Sequence, residues 1–175
     1  MSVLSIGKND FCISNTELDY HVNMVVFGNQ AFVFSNSGQY ANMQAFAVKV
    51  QALSEVPIVD AVIAYYCPHS GDTYLLVVRN ALCVPSMDNN LVPPFILRED
   101  GLILNYNPKI HCEDPSVEYH SLLDQETGLR IHFTLSGTFL VFETRSITNE
   151  EIEIVENYPT LFLTPDSKNL DPYNK

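Results

Sequence analysis

The feature that most limits the folds open to this chain is the brevity of its apolar segments. They are rich in Val, Ile, Phe and Tyr, and each is soon closed off by Gly, Pro, Asn, Asp or Ser. Branched and aromatic side chains pack well on a pleated surface, and the turn residues supply the backbone angles that reverse a strand. The pattern predicts a mainly β protein. Residues 57–66 and 73–78, joined by Cys67-Pro68-His69-Ser70-Gly71-Asp72, predict an antiparallel pair, and residues 81–84 continue it as a short strand. Residues 23–27 and 30–34 flank Gly28-Asn29, which accepts φ > 0 and predicts a two-residue hairpin, with a second turn at Ser35-Asn36-Ser37-Gly38. Residues 43–53 suit either a short helix or an irregular crossing strand.

Further strands are predicted over residues 102–106, 119–123, 129–135 and 139–144, with turns at 124–128 and at Ser136-Gly137. Two short helices complete the pattern. Pro93 and Pro94 fit a first helical turn, where a missing N–H costs nothing, so residues 95–99 read as a helix stopped by Asp100-Gly101. Thr148 and Glu151 have capping-box spacing before Ile152 and Ile154, and Pro159 bounds that helix. Aromatic residues in 32–34 and 133–142 read as core or cross-strand pairs, Asp60 as a strand-end residue and Asp72 as a turn residue.

At 175 residues the chain has room for one compact domain with a real core. Its net charge of −12, with nine scattered Lys and Arg, argues against nucleic acid, whose phosphates require clustered cations. No apolar run approaches the roughly 20 residues that cross a bilayer, and residues 1–10 lack a signal-peptide pattern. No membrane partner is expected, and the chain reads as cytoplasmic. The acids in 113–118, 124–126 and 150–156 read as solvated loops and a helix face. Cys12, Cys67, Cys83 and Cys112 form no C-x-x-C pair and read as reduced thiols. His21, His69, His111, His120 and His132 show no metal-binding spacing. His111-Cys112 would point to opposite faces of a strand, so neither a metal nor a cofactor is expected.

Asp19 is the acid that context singles out for chemistry. It closes the extended run Asn15-Thr16-Glu17-Leu18 at a strand-to-turn junction. An aspartic peptidase needs a carboxylate so placed, and an ordinary turn aspartate also sits there. Two neighbouring carboxylates share one proton, and the pair divides general-base and general-acid work between its members. No Asp-Ser-Gly or Asp-Thr-Gly occurs elsewhere, so the natural mate of Asp19 is Asp19 of a second copy.

Three stretches resemble the protease region of copia-type retroelement polyproteins, in particular the branch found in microalgal genomes. Residues 17–26 are similar to the family pattern Glu-Leu-Asp-Ser-His-Ala followed by a polar residue and an apolar strand. Residues 78–95, with Asn80-Ala81-Leu82-Cys83-Val84-Pro85 and Asn89-Asn90-Leu91, resemble the family segment that closes the barrel and starts its helix. Residues 108–145, with His120-Ser121, Leu129-Arg130-Ile131 and Thr144-Arg145, resemble the region after the protease core. The resemblance implies a retropepsin-like closed β-barrel with one short helix over 17–105. It adds a β-rich extension with a short helix over 106–163, after a lead-in of 1–16; residues 164–175, rich in Pro, Asp, Asn and Lys, read from composition as a disordered tail. It also implies that Asp19 is catalytic, that the enzyme is a homodimer, and that its substrates are peptides of its own polyprotein. Tyr20 stands where the family has Ser, Val22 where it has Ala, and Gly38 and Gly71 both fall in turns rather than in a Gly-rich flap. The alternatives are a non-catalytic β-barrel module left by a decayed or repurposed element, and an unrelated ligand-binding β-barrel.

Overall fold

The computed structural model describes residues 13–43, 53–106 and 120–165. The short apolar segments form β1 (Ile13–Leu18), β2 (Val26–Phe27), β3 (Phe32–Met43), β4 (Leu53–Tyr66), β5 (Thr73–Cys83) and β6 (Asn90–Val92). Helix α1 (Pro94–Glu99) follows, then β7 (Ile103–Asn105), β8 (Ser121–Leu123), β9 (Arg130–His132), β10 (Thr134–Ser136) and β11 (Phe139–Arg145). Helix α2 (Asn149–Glu153), a single 3-10 turn (Val155–Asn157) and β12 (Thr160–Phe162) end the described chain.

The main sheet runs β10-β11-β1-β6-β2-β5-β4-β3, with β12 added parallel to β5. Arg145 of β11 also pairs with Ala64 of β4, so β11, β1, β6, β2, β5 and β4 form a nearly closed ring of six strands. A smaller antiparallel sheet, β7-β8-β9, packs beside it. Leu18, Phe27, Ile63, Leu76 and Phe142 share one buried cluster with Leu122 and Ile131 of the small sheet and Leu97 of α1. Each such side chain contributes about 1.5–3 kcal/mol by leaving water. β11, from the C-terminal extension, is a member of the ring, so the extension is built into the same sheet.

The β4–β5 pair, α1 with proline at its first position, and both halves of the Thr148/Glu151 capping box are present as expected. The Gly28-Asn29 hairpin is not. β2 pairs parallel with β5 and antiparallel with β6, and has no ladder to β3. Gly28 serves close approach instead: a Cβ there would lie 2.3 Å from the Met87 carbonyl oxygen. The N–H of Asn29 donates to that same oxygen at 2.9 Å.

Residues 35–38 are a bulge rather than a reversal. Pairing passes from Asn36–Val59 to Tyr40–Pro57, a step of four on β3 against two on β4. Gly38 takes φ 76°, and Asn36 Oδ1 and Ser37 Oγ accept the N–H groups of Gly38 and Gln39. Turn residues satisfy a bulge as readily as a hairpin, which is why the pattern misleads.

Residues 129–135 divide between two sheets, β9 in the small one and β10 in the large one. The break falls at Phe133, whose N–H donates to the His120 carbonyl at 2.8 Å. β12 was not legible, being only three residues long and held by a partner far away in sequence. Thr164, expected to open a disordered tail, is buried and accepts the Arg79 N–H at 2.8 Å. Residues 44–52 and 166–175 lie outside the described residues.

Phe133 and Phe142 pack in the core with ring centroids 5.7 Å apart, whereas Phe32 and Phe34 on the edge strand are exposed. Asp60 lies within β4 rather than at its end, at a bulge, where it accepts the Asn80 N–H at 3.0 Å.

Candidate functional site

β6 lies between β1 and β2, parallel to the first and antiparallel to the second. Those two strands are joined by the loop that carries Asp19. Leu18 is buried at the end of β1, and the next N–H, that of Asp19, donates to the Val92 carbonyl at 3.0 Å. One further bond of the β1–β6 ladder thus holds the start of the loop. Asp19 Oδ1 accepts the His21 N–H at 2.8 Å, an Asx turn that tightens the loop on itself. Farther on, Val22 and Met24 pack in one apolar cluster with Val56 and Ile58 of β4 and with Ala41 and Met43 of β3, so the loop rests on the turn-proximal half of the long β3–β4 hairpin.

Asp19 lines a cleft of about 670 Å³ with Tyr20, His21, Tyr106, His120 and residues of the β10–β11 hairpin, Leu135 and Phe139 among them. Its chemistry is one carboxylate, two imidazoles and two phenols against an apolar wall. Among the described residues, Asp19 is the acid that lines this cleft. Glu17, two residues back, accepts a hydrogen bond from the Asn89 amide at 3.0 Å. Partial burial first, and the charge of Asp19 second, hold its carboxyl above the ordinary glutamate range, with Asn89 acting in the opposite sense.

Tyr20 is 61% exposed, and its ring meets Tyr106 edge-on with centroids 5.5 Å apart. The Arg98 guanidinium of α1 stacks 4.6 Å from the Tyr106 ring centroid. Partial burial and the hydrogen bond given to Tyr106 push the Tyr20 phenol up. The same bond, seen from its accepting end, and the Arg98 guanidinium pull the Tyr106 phenol down.

Behind the loop lies a polar network that the sequence reading did not anticipate. Thr16, Gln30, Asn90 and Thr144 are buried, and their hydrogen bonds close a circuit. The Asn90 amide donates to Thr16 Oγ1 at 3.1 Å and to Gln30 Oε1 at 2.8 Å. Thr144 donates to Gln30 Oε1 at 2.9 Å, so Thr16 donates to Thr144 across 2.8 Å. Gln30 donates to the Thr144 carbonyl, and Asn90 Oδ1 takes the Gly28 N–H, each at 3.0 Å. No buried side-chain polar atom among the described residues is left unsatisfied.

Of the residues singled out in the third family-like stretch, most build the fold rather than the cleft wall. Arg130 donates to Ser121 Oγ at 2.8 Å, Thr144 belongs to the network, and Arg145 grips Glu151 through two bonds of 2.6 and 2.8 Å. His120 alone of those named lines the cleft.

Cys67 and Cys83 are free thiols. Among the described residues no group of three or more His, Cys, Asp or Glu is placed to hold a metal ion, and no helix is long and apolar enough to cross a membrane. The His111-Cys112 pair lies outside the described residues.

Fold and site together define a mainly β protein that carries a carboxylate on a pinned loop, beside a cleft of aromatic and imidazole groups. No family model matches the chain, and no curated protein or solved structure matches it.

Proposed function

We propose that this chain is a retropepsin-like aspartic peptidase domain of retroelement origin, cleaving its own polyprotein through an Asp19 dyad formed by two copies. The observation that carries this reading is the placement of Asp19 on the loop between β1 and β2, with β6 inserted between those strands and leading directly into α1. The end of β5, β6 and the start of α1 lie in residues 78–95, which resemble the family segment that closes the barrel and starts its helix. The near-closed six-strand ring suits a retropepsin-like barrel. The long β3–β4 hairpin, whose turn-proximal half packs against the loop, suits a flap.

In such a dimer the two carboxylates share one proton. The ionised Asp19 takes a proton from water, whose oxygen attacks the scissile carbonyl carbon. The protonated Asp19 gives its proton to the carbonyl oxygen.

A second reading, a non-catalytic β-barrel module that binds or scaffolds, is favoured by Tyr20. A bulky phenol engaged with Tyr106 occupies the position after Asp19, where the family places a small hydroxyl. The test is cleavage of a fusion bearing flanking polyprotein sequence by the wild type and by Asp19→Asn, with the oligomer mass measured alongside. Processing by a dimeric wild type and its loss in Asp19→Asn is the expected result. Equal processing by both, or none by either, removes the peptidase reading and leaves the module.

A further inference from the structure

We infer that Tyr20 is a positioning residue that locks the Asp19 loop within its own subunit, through Tyr106 and Arg98, so that the loop needs no second copy to hold its shape. Its significance for catalysis rests on the reading of Asp19 as half of a dyad, but the lock itself is measurable without that reading.

The Asp19 loop has two built attachments at its edges, the Asp19 N–H to Val92 and the packing of Val22 and Met24 on the β3–β4 hairpin. Between them stand Tyr20 and His21, both exposed. Tyr20 is largely exposed, yet it is not loose: its ring lies edge-on against Tyr106 at 5.5 Å. Edge-to-face packing directs the positive rim of one ring at the negative face of the other. Arg98 lies 4.6 Å from the Tyr106 centroid, where the ring's quadrupole attracts it.

Partial burial first, and the neighbouring Tyr106 second, hold the Tyr20 phenol above the ordinary tyrosine range, while Tyr20 and Arg98 hold that of Tyr106 below it. The chain of contacts therefore runs from the loop to Tyr106, just past β7, and on to α1. Both anchors belong to the same rigid core, through Leu97 and Leu104. In an aspartic peptidase a small hydroxyl after the aspartate ties two loops together. Here the hydroxyl sits at the far end of a ring and is spent on a residue of its own chain.

The experiment uses the full chain at a concentration where mass measurement shows a monomer. Amide exchange is read at the Asp19 and His21 N–H groups, with the Leu82 N–H, which bonds Val25 in the sheet, as the internal reference. Tyr20→Phe and Tyr106→Phe each keep a ring and remove a hydroxyl. Each is expected to speed exchange at His21 by about 2- to 10-fold, the range one net hydrogen bond covers, without change at Leu82. An ultraviolet titration of the tyrosines is expected to show the low-titrating phenol of the wild type returning toward the ordinary tyrosine value in Tyr20→Phe. A purely structural effect would leave that phenol where it is. Unchanged exchange in both variants, an unmoved phenol, or His21 protection that appears only in the dimer overturns the lock. Loss of processing in Asp19→Asn bears on the peptidase reading alone, so the two failures are distinguishable.

Discussion

Thr16 and Asp19 are almost neighbours on the chain, yet their surroundings are opposites. Thr16 sits in a dry circuit with Gln30, Asn90 and Thr144, in which three strands and the 28–31 segment are stitched together and every polar atom has a partner. Asp19 has one carboxylate oxygen turned back onto its own loop, an exposed Tyr20 beside it, and an open cleft in front. A satisfied buried network fixes one arrangement of strands, because any slip leaves several groups desolvated and unpaired at once. The loop hangs from that frame by one ladder bond and surface contacts. Tyr20 and His21, the exposed residues at its Asp19 end, can change at little cost to the fold, so the cleft-lining positions and the architecture are separable within a few positions of β1.

The sharpest way to break this contrast is Asn90→Ala, which strands Gly28 N–H, Thr16 and Gln30 together in the core. It is expected to lower the free energy of unfolding by about 2–5 kcal/mol, read by denaturant titration. Asp19→Asn measured in parallel is expected to fall within about 0.5 kcal/mol of the wild type, as surface changes do. Equal losses from the two would erase the distinction.

A smaller effect is expected on the β11 side of the network. Arg145 follows Thr144, and its bidentate pair with Glu151 also completes the cap of α2. The hydrogen bonds from Arg145, ahead of every other cause, hold the Glu151 carboxyl below the ordinary glutamate range. Its contribution is therefore present above that range and fades as pH falls through the lowered value. Glu151→Gln is expected to cost roughly 1–3 kcal/mol at pH 7 and progressively less in acid, seen in thermal unfolding at a series of pH values.

The smallest expected effect has the opposite sign, and it falls outside both the network and the Asp19 cleft. Asp100 ends α1, two residues after Arg98. Burial, then repulsion from Asp124, raise its carboxyl to about 6, with Arg79 pulling the other way and Glu126 adding to the rise. The folded state binds this proton more tightly than the unfolded chain, so stability falls as pH climbs from the ordinary aspartate range to about 6 and is level above it. Asp100→Asn is expected to stabilise the protein at pH 7 by less than about 1 kcal/mol, since the group is half-exposed and screened, and to change nothing at pH 3. Stabilisation that persisted in acid would mean a cause other than ionisation.

Local chemistry was legible in the sequence wherever one segment decides it. The β4–β5 hairpin, the proline-started α1 and the Thr148/Glu151 box depend on neighbours in sequence, and each is present. The failures are long-range. Gly28-Asn29 carries the residue types of a hairpin, but the carbonyl that claims the Asn29 N–H belongs to Met87. β12 has too few residues to show a period, and its pairing with β5 defines it. At the site, Asp19 was legible as a carboxylate at a strand end. Tyr106 was not: nothing in sequence brings it to Tyr20, since the contact exists only once α1 and β7 have folded back on the loop. The buried circuit was hidden for the same reason: Thr16 stands among Ser14, Asn15 and Glu17 in β1, and Thr144 between Glu143 and Arg145 in β11, so neither is marked as buried by its neighbours.

The Thr16–Thr144 bond spans 128 residues of chain. On the ribosome, β4 and β5 can pair as soon as both have emerged, because the turn between them is short. β1 must wait for β11, with that edge unpaired until residues 139–145 have emerged. The frame behind Asp19 is completed only once β11 has been made, so translation itself sets the earliest moment at which the loop can stand in its final form.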